Sequence, residues 1–309
     1  MLIYSHPACL DHDPGHGHAE SPHRLNAVLT ALRGLPSTTL EWREAPRAER
    51  EQLALAHDTA LIKAVLEEAM SFPHRLDADT VMSEGSAEAA LRAVGAVIAA
   101  VDSICAEQPE TPARQAFCAV RPPGHHATGR TAMGFCLFNA VAVAARHAIR
   151  THRLERVSII DFDVHHGNGT QAIFENDPRV QYLSSHQLPL YPDSGHPGER
   201  GVGNVFNAPL PAGADGDAFR RAWQEQLLPE LDRFQPQLIL VSAGFDAHWL
   251  DPLAGLLLKE ADFAWLARKL MAAAHQHCGG RLISTLEGGY SLSALGSSVA
   301  AYVEAQLCD

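Results

Sequence analysis

Short, largely apolar runs recur along the last two-thirds of the chain, each bounded by turn residues and separated by longer stretches of helical period. The runs at 116–120, 156–163, 180–184, 237–243 and 281–286 are rich in β-branched and apolar residues, which predicts five buried strands. Between them, 135–150, 217–234, 260–276 and 292–307 carry apolar residues at helical spacing. A parallel connection needs a long crossover, and the intervening helices supply it. The order therefore predicts an α/β fold with a mainly parallel sheet flanked by helices on both faces. The first hundred residues read as more helical, with an Ala- and Val-rich helix over 86–103 and a shorter one over 22–32. No period of repeat length recurs. The Gly- and Pro-rich stretches 121–134 and 189–203 hold His, Asp and aromatic residues, so they read as active-site loops rather than linkers, and the whole chain, 1–309, reads as one domain.

With 309 residues, 46% of them hydrophobic and 19% charged, the chain has material for a sizeable core. Lys and Arg number 24 against 36 Asp and Glu, a formal charge of −12 that would repel a phosphate backbone, so no direct nucleic-acid partner is expected. The six cysteines are scattered with no C-x-x-C spacing, which reads as reduced thiols and a cytoplasmic protein. The start lacks a basic, apolar leader, and no run approaches the roughly 18 apolar residues of a membrane span. No pattern specifies an oligomeric state. What stands out is 18 histidines.

In an open parallel sheet ligands bind beyond the carboxyl ends of the strands. Four predicted strands run there into ionisable residues: RPPGHH with His125 and His126, DFDVHHGNG, GFDAH with Asp246, and EGGY with Tyr290. In Asp161-Phe162-Asp163-Val164-His165 side chains two apart share a face of a strand, so two carboxylates and an imidazole can line one side. The bland alternative is Asp residues capping turns. Asp246, after the apolar LILVSAGF, tips the balance, because a carboxylate set against such a run needs a partner. Asp163, His165 and Asp246 then form the ligand set of one catalytic zinc with a position left for water. Iron(II) or manganese would suit the same donors. His125 and His126, held by a stiff Pro-Pro-Gly turn at the mouth of a strand, are candidates for acid and base work, with Asp161 and Asn168 as their orienting partners. Gly288 and Gly289 allow close backbone approach to a ligand, and the Tyr290 phenol is placed to donate to a developing oxyanion. The N-terminal cluster of His12, His16, His18 and His23 with Asp11, Asp13 and Glu20 reads as a turn and a helix start. His147, His152, His275 and His277 receive no role, and Cys136 reads as packing, with no basic neighbour in the local sequence to lower its pKa.

These motifs together, RPPGHHA at 121–127, GFCLFN at 134–139, DFDVHHGNGTQ at 161–171, SAGFDAH at 242–248 and EGGY at 287–290, resemble the histone deacetylase family, and in detail its class II branch and bacterial amidohydrolase relatives. The resemblance implies an arginase-like α/β fold and hydrolysis of an N-acetyl amide, either acetyl-lysine in a peptide or protein or an acetylated polyamine. It implies zinc on Asp163, His165 and Asp246, His126 as general base and then acid, and His125 paired with Asp161. Tyr290 would polarise the acetyl carbonyl, Gly134 and Phe135 would line the tube for the alkyl chain, and a structural potassium would sit near Asp161, Asp163, His165 and Ser184. Asn168 stands where class I members carry Asp; a neutral amide raises the His126 pKa less, favouring its free base. The loop at 186–204 departs most from the eukaryotic pattern. Two other readings compete: an arginase-like two-metal hydrolase, for which the chain lacks further bridging carboxylates, and a silent acyl-lysine reader, against which His125, His126 and Tyr290 stand.

Overall fold

The five apolar runs form the middle of one sheet and are buried along nearly their whole length. The computed structural model describes residues 1–36, 39–67, 71–106 and 113–307. Its strands are β1 (Leu2–Ser5), β2 (Glu41–Glu44), β3 (His74–Arg75), β4 (Val81–Met82), β5 (Gln115–Cys118), β6 (Val157–Asp161), β7 (Val180–Gln187), β8 (Val205–Leu210), β9 (Leu238–Ala243) and β10 (Leu282–Leu286). Its helices are α1 (Pro22–Arg33), α2 (Arg50–Leu53), α3 (Thr59–Leu66), α4 (Ser86–Cys105), α5 (Ala140–Thr151), α6 (Asn168–Phe174), α7 (Gly216–Ala222), α8 (Leu228–Phe234), α9 (Glu260–Cys278) and α10 (Leu292–Leu307). Eight strands pair in the order β2-β1-β5-β10-β9-β6-β7-β8, every pair parallel, while β3 and β4 make a separate small hairpin. Helices pack in two groups, α4 with α5 and α1 with α10 and α9.

Three expectations shift. The helix expected from 135 begins only at α5, because residues 133–136 close into a tight turn and the Asn139 side chain caps the helix by accepting from Ala142 N at 3.0 Å. The strand expected to reach 163 stops at Asp161. Asp163 and His165 lie in the turn beyond it, where Asp163 N donates to Asp161 Oδ1 (3.3 Å) and His165 N to Asp163 Oδ1 (2.9 Å) in place of a ladder. The helix expected over 217–234 is α7 and α8 joined by one wide turn at Trp223–Leu227.

Phe162, Phe245, Phe263 and Tyr302 interlock, with Phe245 5.2 Å from Phe263 and Phe162 5.3 Å from Tyr302. Each is essentially removed from water, which contributes about 1.5–3 kcal/mol per side chain of this size. The aromatic layer lies directly behind the metal-ligand candidates, since Phe162 precedes Asp163 and Phe245 precedes Asp246. No helix among the described residues is long and apolar enough to cross a membrane. Five cysteines are described, all unpaired; Cys308 lies outside the described residues.

Candidate active site

Because the eight strands of the main sheet all run the same way, β5, β6, β9 and β10 end on one rim, and the four motifs meet there. His165 Nδ1 lies 3.1 Å from Asp163 Oδ1 and 3.2 Å from Asp246 Oδ2. Backbone donors hold the other oxygens, Gly288 N donating to Asp163 Oδ2 (2.8 Å) and Val164 N to Asp246 Oδ1 (2.9 Å), and His125 Nε2 lies 3.8 Å from Asp163 Oδ1. Burial, with Asp163 alongside, pushes Asp246 up to about 7. Against burial, the bonds to Asp163 and Asp246 lift His165 to about 10. A shared proton is a weak way to satisfy two buried carboxylates and an imidazole edge. The donor set is that of a divalent metal centre, and the three donor atoms lie within 4.8 Å of one another, so the residues fit such an ion.

The adjacent histidines occupy opposite electrostatic positions. His125 donates from Nδ1 to Asp161 Oδ2 (3.1 Å), and against burial Asp163 and Asp161 hold its pKa well above the ordinary value. His126 faces the neutral Asn168, donating from Nδ1 to Oδ1 at 2.8 Å. Burial, then His125 and His165, push its pKa well down. A ring that donates from Nδ1 and is not cationic keeps a lone pair on Nε2, as a base must. Asp161 also accepts from the Tyr182 hydroxyl (3.0 Å), and Glu287 accepts from Gly124 N (2.7 Å) and His125 N (3.1 Å), which fixes the Pro-Pro-Gly turn.

A cavity of about 240 Å³ opens onto these groups, lined by Asp79, His126, Gly134, Phe135, His165, Leu190, Tyr191, Leu253 and Tyr290. Met133 and Cys136 exchange both backbone bonds (3.0 and 3.1 Å), and Gly134 and Phe135 between them have φ of 56° and 67°, the pattern of a type I′ turn. Only glycine fits at 134, where a Cβ would lie 2.4 Å from the His126 ring. The turn holds the Phe135 ring 5.9 Å from that of Tyr290. Tyr191 approaches His126 from another side at 5.1 Å. Burial pushes the Tyr290 phenol well up, so it stays a donor, and the Arg24 guanidinium lies 4.8 Å over its ring.

Gly288 is set behind the ligands and not on the cavity wall. Its N–H holds Asp163, and a Cβ there would lie 2.0 Å from Asp246 Oδ2, so its small size serves the carboxylates rather than a substrate. Cys136 is buried beside His125 and Glu287, and burial raises its thiol well above the ordinary range, which makes it a packing residue. The loop expected at the site over 189–203 supplies Leu190 and Tyr191, which the sequence does not single out, and Asp79 and Leu253 reach the wall from loops to which it assigns no role. The sequence reading also missed Asp251, whose carboxylate accepts from Tyr290 N (2.7 Å) and Ser291 N (3.4 Å).

A second set of buried charges supports this loop from the N-terminal side. Glu20 takes a two-pronged bond from Arg121 (2.5 and 2.6 Å) and another from Arg24 Nη1 (2.9 Å), with His12 Nε2 3.2 Å away. Arg24 in turn donates to the carbonyls of Gly289 and Glu287, which fixes the backbone on both sides of Gly288 and leads into Tyr290.

Residues 18–306 match the model of the histone deacetylase domain. The chain is 42% identical to histone deacetylase 14, chloroplastic, of Arabidopsis thaliana over 97% of this chain and 75% of that protein. It is 40% identical to the histone deacetylase-like amidohydrolase of Pseudomonas aeruginosa over 89% of this chain and 73% of that one. Its similarity to the polyamine deacetylase HDAC10 of Danio rerio is 35% over the whole chain and 46% of that protein. In three dimensions it is similar to the crystal structure of the HDA15 HD domain, with a TM-score of 0.92 at 32% identity, covering 99% of this chain and 87% of that one. A domain match over nearly the full length, relatives at this identity and one shared architecture establish that the chain belongs to the histone deacetylase family.

Proposed function

We propose that the chain is a zinc-dependent amidohydrolase that removes acetyl or another short acyl group from N-acylated amines such as acetyl-lysine, with residues 1–309 forming one deacetylase domain. The observation that carries this reading is the convergence of His126, Tyr290 and His165 on one cavity, with Asp163 and Asp246 against the His165 ring. When bound by Asp163, His165 and Asp246, a divalent ion supplies Lewis acidity and acidifies a water; zinc suits the donors first, iron(II) second.

The protein's own groups do the rest. Phe135, Leu190, Tyr191 and Leu253 exclude water from a linear alkyl chain. Tyr290 donates to the acyl oxygen as charge builds on it. His126 Nε2 takes the proton of the attacking water while the new C–O bond forms, then returns it to the nitrogen as the C–N bond breaks, releasing carboxylic acid and amine, which ionise to carboxylate and ammonium. His125, paired with Asp161, stays a hydrogen-bonding and electrostatic partner. The structural potassium near Asp161, Asp163, His165 and Ser184 is supported by the family resemblance alone. A cytoplasmic location is supported by the unpaired cysteines among the described residues.

Asp79, the one carboxylate on the cavity wall among the described residues, favours a second reading in which the substrate is an acetylated polyamine, whose free ammonium groups would be drawn to it. Release of the carboxylate, acetate or the longer acid, from an acetyl-lysine peptide, a longer acyl-lysine peptide, acetylspermidine and acetylputrescine separates the two. Turnover is expected to stop on chelation, return with zinc and be blocked by a hydroxamate. Tight binding of all four without carboxylate release would overturn the enzyme reading.

A further inference from the structure

The helices α4 and α5 lead into β5 and β6, so their C-terminal ends lie at the opposite end of the sheet from the catalytic rim. There Asp102 of α4 meets His147 of α5 and His152 at its C-cap, histidines to which the sequence reading gave no role. Asp102 Oδ1 lies 2.6 Å from His147 Nε2 and 2.8 Å from His152 Nε2, and the three donor atoms lie within 4.8 Å of one another. We propose that Asp102, His147 and His152 form a second divalent-metal site, taking a late first-row ion of the zinc class.

Four features point to a metal rather than to a pair of surface hydrogen bonds. Two imidazoles and one carboxylate, with no thiolate, are the donors that borderline divalent ions select. Both rings present the same nitrogen, Nε2, to the same oxygen. The other nitrogen of His147 is held from behind, 3.3 Å from Thr151 Oγ1, the kind of outer contact that fixes the tautomer and orientation of a ligating histidine. Finally, the imidazole side chains are only 10% and 15% exposed while the carboxylate is 50% exposed, so the rings are immobilised by packing but the point where they meet is open to water, which would complete the coordination and allow the ion to exchange. A net charge of −12 raises the local concentration of any cation. Bound there, the ion would tie the last turn of α4 to the last turn of α5 and stabilise the fold in proportion to its occupancy.

The inference does not depend on the deacetylase reading, and its test keeps the two apart. Protein carrying its catalytic ion is dialysed against zinc and the bound metal counted. The wild type is expected to hold one ion more than the double variant His147→Ala/His152→Ala, with equal kcat/KM, and Asp246→Ala is expected to lose activity while keeping the surface ion. Equal zinc content in the wild type and the double variant would overturn the proposal. A measurement on the unaltered protein guards against misfolded variants: the equivalent of zinc beyond the first should shift the imidazole NMR signals of His147 and His152 and leave those of His275 and His277 in place. No shift at the first pair would equally overturn it. If the first equivalent fails to restore hydrolysis while the second still binds, the deacetylase reading falls and the surface site stands.

Discussion

Two clusters of charge are buried in this protein to the same depth, and they differ in whether they close on themselves. Glu20, Arg24, Arg121 and His12 form a complete network. Glu20 is held well below the ordinary carboxylate range, against burial, chiefly by Arg121, and the spare guanidinium protons go to the carbonyls of Cys9, His12, Gly289 and Glu287. Asp163, His165 and Asp246 form an incomplete one: two carboxylates share one imidazole, and burial, with Asp163 alongside, pushes Asp246 up to about 7 despite the His165 ring. A closed network fixes backbone. An open one of this composition is built to receive a cation. The two are joined, since the carbonyls that Arg24 holds flank Gly288, whose N–H holds Asp163.

Opening the incomplete cluster further should have the largest effect. Asp246→Ala removes a ligand from a unit that acts together, and acetate release is expected to fall by ~10⁴-fold or more, with loss of the catalytic ion seen by metal analysis. Normal activity and metal content in this variant would remove Asp246 from the site.

Breaking the closed cluster should show in stability first. Glu20→Gln leaves two buried guanidiniums without their carboxylate, a change of about 3–5 kcal/mol by urea unfolding. Because Arg24 then loses its anchor, turnover should fall as well, with the catalytic ion retained. A variant as stable as the wild type would show that the backbone carbonyls alone satisfy Arg24 and Arg121.

The contrast also explains what could be read from the chain. The rim was legible because candidate site residues follow buried runs: Ala116 to Val120 announces His125, and LILVSAGF announces Asp246. The closed network was not, because Glu20 and Arg121 are a hundred residues apart and each reads locally as a helix start or a turn. One signal was present, the i, i+4 pair Glu20 and Arg24 at the start of α1. The edges of the sheet were also hidden. β2 is four residues, EWRE, with mostly exposed side chains, and β8 contains Pro209, tolerable only where a strand has no outer partner. The cavity wall at Leu190, Tyr191 and Leu253 comes from irregular loops, where no hydrophobic period exists to be read.

Tyr290 lies between the clusters, since Arg24 covers its ring while the residue lines the cavity. Tyr290→Phe keeps the ring and loses only the donor, so metal content and stability should hold while kcat falls by ~10²–10³-fold, the effect of deleting one oxyanion donor. An unchanged KM for the acetyl-lysine peptide would locate the loss in the transition state.

The smallest effect concerns a buried group that is closed by being neutral. His57 donates from Nδ1 to Thr128 O (2.9 Å) and accepts from Asn139 N at Nε2 (2.9 Å), so one tautomer satisfies both partners and protonation would break the second bond. Burial accordingly lowers its pKa from 6.5 to about 4. The unfolded chain takes up the proton first, so this contribution to stability is complete above pH 6.5 and is lost as pH falls towards 4, with a slope approaching about 1.4 kcal/mol per pH unit. His57→Gln offers an amide donor and acceptor in place of the ring and removes the titration. Between pH 6.5 and 4 its unfolding free energy should therefore fall less steeply than that of the wild type, by up to one proton's worth of slope. Parallel curves for the two proteins would mean that His57 is not held neutral, and that only the ionic clusters, closed or open, set the acid stability of the rim.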